Sequence, residues 1–223
     1  MSSSDQEERR DAVMRLGNLH SAEASRAAVP ALSDPSPVIR ATAAKAVLSL
    51  APDESVTVLL PLLKDKDEFV RREAAYALGR TRSRNATAAL SERLLTDKED
   101  GVRAAAAVAL GDIADEAAVV SLAGTLAPET ATRGNGKRKR EQNVFVLRAA
   151  AVALGQIGSR AGTPALVVVL NNEKLDSDVR REAARSLGRI GDPAAAPALR
   201  AASTAADPFL SQLAYEALRK LGG

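Results

Sequence analysis

The sequence predicts an all-α chain of stacked helical hairpins, an α-solenoid, and three observations carry that expectation. The stretch Phe69–Thr81, FVRREAAYALGRT, is written with variation seven times; aligned on its leucine it recurs at Leu16, Val47, Leu78, Leu110, Leu154, Leu187 and Leu218. The steps are 31, 31, 32, 44, 33 and 31 residues, and a fixed period of that size marks a chain that stacks one supersecondary unit. Composition agrees. Hydrophobic residues make up 46% but aromatics only 2%, with no tryptophan, so the core must be Ala, Leu and Val in thin, closely packed layers. Within each copy the apolar residues keep a helical period. Counted from the arginine (Arg71 in the third copy), positions −1, +3, +7 and +10 fall within about 80° and form one buried stripe.

Taken in order, residues 1–5 read as a disordered tail, and residues 6–223 as a single repeat domain whose first copy runs from Glu8 to Leu19. A glycine follows the stripe leucine in five copies (Gly17, Gly79, Gly111, Gly155, Gly188) and is expected to slacken or end the helix there. Second helices are expected over Ala24–Leu32, Glu54–Leu63, Ala86–Leu95, Ala117–Leu126, Ala161–Leu170 and Pro193–Ala201. Pro30, Pro61, Pro164 and Pro197 recur in them and either open or kink the helix. Asp34, Asp65, Asp97, Asp176 and Asp207 stand near the start of the following helix, where a carboxylate satisfies free N–H groups and suits the helix dipole. The 44-residue step holds about 12 extra residues in 128–143, PETATRGNGKRKREQN, which read as an inserted loop.

The pattern D-x-x-V-R-x-x-A-A-x-A-L-G with a proline-bearing partner helix resembles the HEAT repeat. Its short Ala-rich period is similar to the phycobilisome-lyase-like subclass. The resemblance covers about residues 6–222 and implies a right-handed, armadillo-type superhelix of about six to seven HEAT-like hairpins. It further implies that the helix carrying the Val-Arg pair lines a concave face. On this resemblance Arg9, Arg40, Arg71, Arg103 and Arg180 match a ladder arginine bonding acids of neighbouring turns; Leu147 and Ser211 depart from it.

If the stripe faces the core, positions +1, +2, +5 and +9 face away from it. The third copy places Arg72, Glu73, Tyr76 and Arg80 there, the fourth Ala104, Ala105, Val108 and Asp112, the fifth Arg148, Ala149, Val152 and Gln156, and the sixth Arg181, Glu182, Arg185 and Arg189. An apolar centre rimmed by arginine is the expected partner-binding surface. Lys137, Arg138, Lys139 and Arg140 form the one dense basic run. It reads as a solvated insertion, a contact for an acidic protein surface, or a weak non-specific phosphate clamp.

Catalysis is not expected. Cysteine is absent and His20 is the only histidine, which removes Cys-His, Ser-His and His-cluster metal chemistry; no phosphate-cradling glycine motif and no His-Glu pair is present. Net charge +3 and a pI of about 9.4 are too mild for a nucleic-acid specialist. No leader-like or membrane-length apolar run is found, so a cytoplasmic location is expected. The sequence-level expectation is a monomeric, non-catalytic scaffold without cofactor, holding a protein partner on its concave face. Two alternatives stand beside it: bilin handling, implied by the lyase-like resemblance with Arg72, Arg181 and Arg185 pairing the propionates, and weak nucleic-acid binding through the basic loop.

Overall fold

The computed structural model describes residues 4–127 and 143–222. The described residues form thirteen α-helices and seven short 3-10 segments. They fall into two compact units, Met1–Ile113 and Ala114–Gly223.

Unit 1 holds α1 (Gln6–Asn18), α2 (Ala22–Ala28), α3 (Pro37–Ala46), α4 (Pro52–Leu59), α5 (Glu68–Thr81), α6 (Thr87–Thr96) and α7 (Asp100–Ile113). The odd-numbered helices carry the repeated sentence and pack in series, α1 on α3, α3 on α5, α5 on α7, each with an even-numbered helix beside it. Unit 2 holds α8 (Val119–Leu126), α9 (Val144–Ile157), α10 (Thr163–Asn171), α11 (Ser177–Ile190), α12 (Ala196–Ala202) and α13 (Pro208–Lys220). Here α9, α11 and α13 pack in series, backed by α8, α10 and α12. The fold class is the α-solenoid of the HEAT and armadillo type.

Of the five acids expected at helix starts, Asp176 and Asp207 cap the first turn of α11 and α13, whereas α5 and α9 are capped by Asp67 and Asn143. Asp34, Asp65 and Asp97 stand before their helices and accept the N–H of Ser36, Asp67 and Glu99. Asp5, assigned to the tail from sequence, instead caps α1. The prolines do both things expected of them. Pro30 and Pro61 sit where α2 and α4 tighten into 3-10 segments, whereas Pro164 and Pro197 open α10 and α12 after one.

Two readings of the packing are corrected. The glycines do not end their helices: Gly79, Gly155 and Gly188 lie inside α5, α9 and α11. They let the next odd-numbered helix approach, since a Cβ on Gly79 would stand 2.6 Å from the Ala109 Cα and one on Gly188 2.8 Å from the Ala217 Cβ. The helix ends lie three residues further on, where Arg82, Gly158 and Gly191 take left-handed backbone. The second correction is that position +2 faces inward. Ala105 is fully buried and Glu73 nearly so. Within each unit an odd-numbered helix touches its odd-numbered neighbours as well as its even-numbered partner, so the buried arc is wider than one stripe. Ala75, Ala77, Ala107, Ala109, Ala151 and Ala153 are buried with it.

Candidate functional site

The arginine ladder is the frame that orients the exposed face. In unit 1 it is continuous. Arg9 donates to both oxygens of Asp34 (2.9 and 3.3 Å), Arg40 to Asp65 (2.7 and 2.8 Å), and Arg71 to Asp97 (2.8 and 3.0 Å). Each aspartate also accepts the N–H two residues on, from Ser36, Asp67 and Glu99. The next arginine returns to the same turn, with Arg40 donating to the carbonyls of Asp34 and Pro35, and Arg71 to those of Asp65 and Lys66. These contacts leave all three carboxylates acidic. The Arg9 hydrogen bonds hold Asp34 below the usual carboxylate range. Burial pushes Asp65 and Asp97 up, but their arginines and N–H donors outweigh it and hold both below that range.

Among the described residues Arg103 donates to Asp100 and to the Leu94 carbonyl, and the positions 25–26 residues on, where its ladder acid is expected, lie outside the described residues. In unit 2 the ladder departs from what the resemblance implied. Arg180 gives its Nε–H to the Leu170 carbonyl, and its neighbour Arg181 takes the ladder role instead, with Asp207 at 2.9 and 3.0 Å. The acceptor has moved. Asp34, Asp65 and Asp97 stand six residues before the next arginine position, but Asp207 stands four before Ser211, with Ala205 at the sixth. Arg181 is thus a packing residue in part and not a free rim charge.

The remaining candidate positions divide by unit. On α5, Arg72 lies over the Phe69 ring, 5.2 Å from its centre, while Tyr76 and Arg80 are exposed. On α7, Val108 is exposed and Ala104 half-buried. In unit 2, Arg148 and Arg189 are exposed and Val152 half-buried. Arg148, Arg181 and Arg185 are brought together around a groove of about 460 Å³ with Phe209 and Leu213. Arg181 also meets Asp178 at 2.8 Å and stacks on Phe209 at 5.2 Å, and Arg185 meets Glu182 at 2.7 Å. All three arginines assigned to bilin propionates already face a carboxylate, Arg72 with Glu73 at 3.7 Å as well as the Phe69 ring, so an incoming propionate has to compete with existing partners. Lys137, Arg138, Lys139 and Arg140 lie outside the described residues.

One pattern went unread in the sequence. Every aromatic side chain is exposed: Phe69 37%, Tyr76 39%, Phe145 70%, Phe209 67% and Tyr215 59%. All three phenylalanines stand at position −2, in the first turn of α5, α9 and α13. A second surface was also missed, a groove of about 410 Å³ between α1, α3 and α5, which takes Phe69 and Arg80 from copy three and otherwise draws on copies one and two. Among the described residues no three His, Cys, Asp or Glu side chains converge to hold a metal ion, and no helix is long and apolar enough to cross a membrane.

Comparison with known proteins bears on the fold. A family model described as HEAT repeats matches residues 1–75, 29–111, 56–133 and 138–219. No curated protein sequence matches. Among solved structures, the complex of CpcE and CpcF of phycocyanin lyase from Nostoc sp. PCC7120 is similar at 25% identity with a TM-score of 0.61, over 89% of this chain and 77% of that one. YibA of Escherichia coli is similar at 19% identity and TM-score 0.58, over 99% and 89%. Human deoxyhypusine hydroxylase is similar at 21% and 0.52, over 99% and 81%. The last two likenesses are of fold alone. On the family match, which spans both units, the chain belongs to the HEAT-repeat family.

Proposed function

We propose that this protein is a non-catalytic interaction module that holds a partner polypeptide on the exposed faces of its odd-numbered helices. The observation that carries the proposal is the placement of the aromatics. Phenylalanine and tyrosine supply large buried areas in most cores, yet here the core is closed by Ala, Val, Leu and Ile and every ring is left outside. Exposed aromatics beside arginine are the composition of interface centres. In unit 1 the anchors are Phe69, Tyr76 and Val108 with Arg72 and Arg80; in unit 2 they are Phe145, Val152 and Phe209 with Arg148, Arg185 and Arg189. HEAT repeats are general protein-binding scaffolds, which supports the same reading.

The test is a pull-down from native cytosol at about 150 mM salt, comparing the whole protein with Tyr76→Ser, Phe209→Ser and a version lacking residues 130–142. A discrete protein retained by wild type and loop deletion but lost by either ring variant is the expected result. A partner kept by both ring variants and lost with the loop overturns it and moves binding to the basic run. Recovery of nucleic acid alone, lost with the loop, overturns it in favour of the phosphate clamp.

The likeness to the phycocyanin lyase complex keeps a second reading, chromophore handling, in view. Titration with a bilin decides it: an unchanged visible band removes that reading.

A further inference from the structure

We infer that the groove between α1, α3 and α5 takes an acidic amphipathic peptide segment, its apolar side chains on Met14, Val38 and Phe69 and its carboxylates on Arg10 and Arg80. This deepens the polypeptide-binding reading and rests on it.

The groove has a floor of small buried residues, Val13, Ala41 and Ala46, and an apolar wall of Met14, Val38 and Phe69. These three protrude because they occupy the outward positions, +5 on α1 and −2 on α3 and α5. Its charged lining is of one sign: Arg10, Lys45 and Arg80 line it with His20, and no aspartate or glutamate does. Lys45 is already held by Glu73 at 2.8 Å. Among the described residues Arg10 and Arg80 have no carboxylate partner, unlike Arg9, Arg26, Arg40 and Arg71 in the same unit, each of which is paired with an acid. Two unpaired guanidinium groups at the margins of an apolar trough complement carboxylates and repel a basic segment.

Size supports the assignment. Neighbouring helix axes pack roughly 8–10 Å apart, so α1 to α5 spans about 16–20 Å. About five residues of extended chain cross that distance. A volume of about 410 Å³ holds a few side chains, not a folded domain.

The test selects binders from a phage-displayed random dodecapeptide library on the purified full-length protein. Each enriched peptide is then titrated by fluorescence anisotropy against wild type, Arg10→Glu, Arg80→Glu, Met14→Glu and Val152→Glu. Circular dichroism shows whether each variant remains folded; Arg10, Met14 and Arg80 are all exposed, so it should. Enriched peptides are expected to combine acidic with aliphatic or aromatic residues. Either charge reversal should weaken them about tenfold, and raising salt should weaken them further. Enrichment of basic or uncharged peptides, or acidic peptides that bind Arg10→Glu and Arg80→Glu as they bind wild type, overturns the inference. Peptides lost only in Val152→Glu sink it while leaving the general polypeptide-binding reading intact. If no peptide enriches and the pull-down returns no protein, both readings fall.

Discussion

Replacing Asp97 with asparagine isolates what the ladder contributes. The Asp97 side chain is 2% exposed and that of Arg71 7%, so the pair is shielded from water. Asparagine keeps the size and can still accept the Glu99 N–H. However, it turns an amide N–H₂ or a weaker acceptor toward a guanidinium that loses its countercharge. Breaking a buried pair from one side costs about 3–5 kcal/mol. Arg71 retains the carbonyls of Asp65 and Lys66 at 3.0 and 3.3 Å, which places Asp97→Asn near the lower end, about 3 kcal/mol. For a chain of this length that corresponds to a fall in Tm of roughly 6–12 °C. The assay is thermal and urea unfolding followed by circular dichroism. Adding Arg71→Leu, the residue type that Leu147 already places at this position in copy five, removes the orphaned charge and should recover more than half of the loss. The pH dependence has a definite sign. Asp97 is held below its unfolded value, so its contribution is fully present above about pH 4 and is lost as pH falls through the lower folded value. Wild type should therefore lose stability in acid more steeply than Asp97→Asn. A single variant within about 0.5 kcal/mol of wild type, with an unchanged acid slope, refutes this account of the ladder.

Three further outcomes are expected. Gly79→Ala drives a methyl into the Ala109 backbone and should cost about 1–3 kcal/mol by urea unfolding, because the nearest atoms are main chain and Cβ with little freedom to yield. Ser186→Ala should raise stability by about 1 kcal/mol in the same assay, since the buried Ser186 hydroxyl has no hydrogen-bond partner. Val108→Glu and Val152→Glu should leave the Tm nearly unchanged while weakening partner capture; a cooperative loss of fold in either shows that its face is needed for packing.

The repeat was legible because close packing restricts it. A helix that must approach its neighbour at Gly79 and Gly188 has little choice of residue at the contact, and such positions recur at a fixed period. What was lost lies where the same words take different roles. Copies three and six both read Val-Arg-Arg-Glu, at Val70–Glu73 and Val179–Glu182, yet the ladder uses Arg71 in one and Arg181 in the other. The deciding residue sits about 26 positions downstream, in the next turn, so a motif read by itself could not distinguish them. The inward turn of position +2 was missed because a single-stripe picture gives each helix one buried side, whereas these helices have neighbours on several. The aromatic pattern was readable: three phenylalanines at one repeat position signal a surface and not a core, since core positions vary between Ala, Val and Leu. The groove of α1, α3 and α5 gathers residues from Arg10 to Arg80, which only the stacking brings together.

The continuity of the unit 1 ladder has a mechanical consequence. The Asp34 and Asp65 turns are each tied by a side chain from the copy before and by a guanidinium from their own copy, and Arg71 ties the Asp97 turn, so neighbouring copies share the same bonds. Under stretching force, copies one to four should yield in a single rip. Between α9 and α11 in unit 2, Leu147 supplies no such tie, and that junction should peel at lower load. A solenoid of near-identical words would then carry a built-in order of rupture, written by the spacing of a few aspartates.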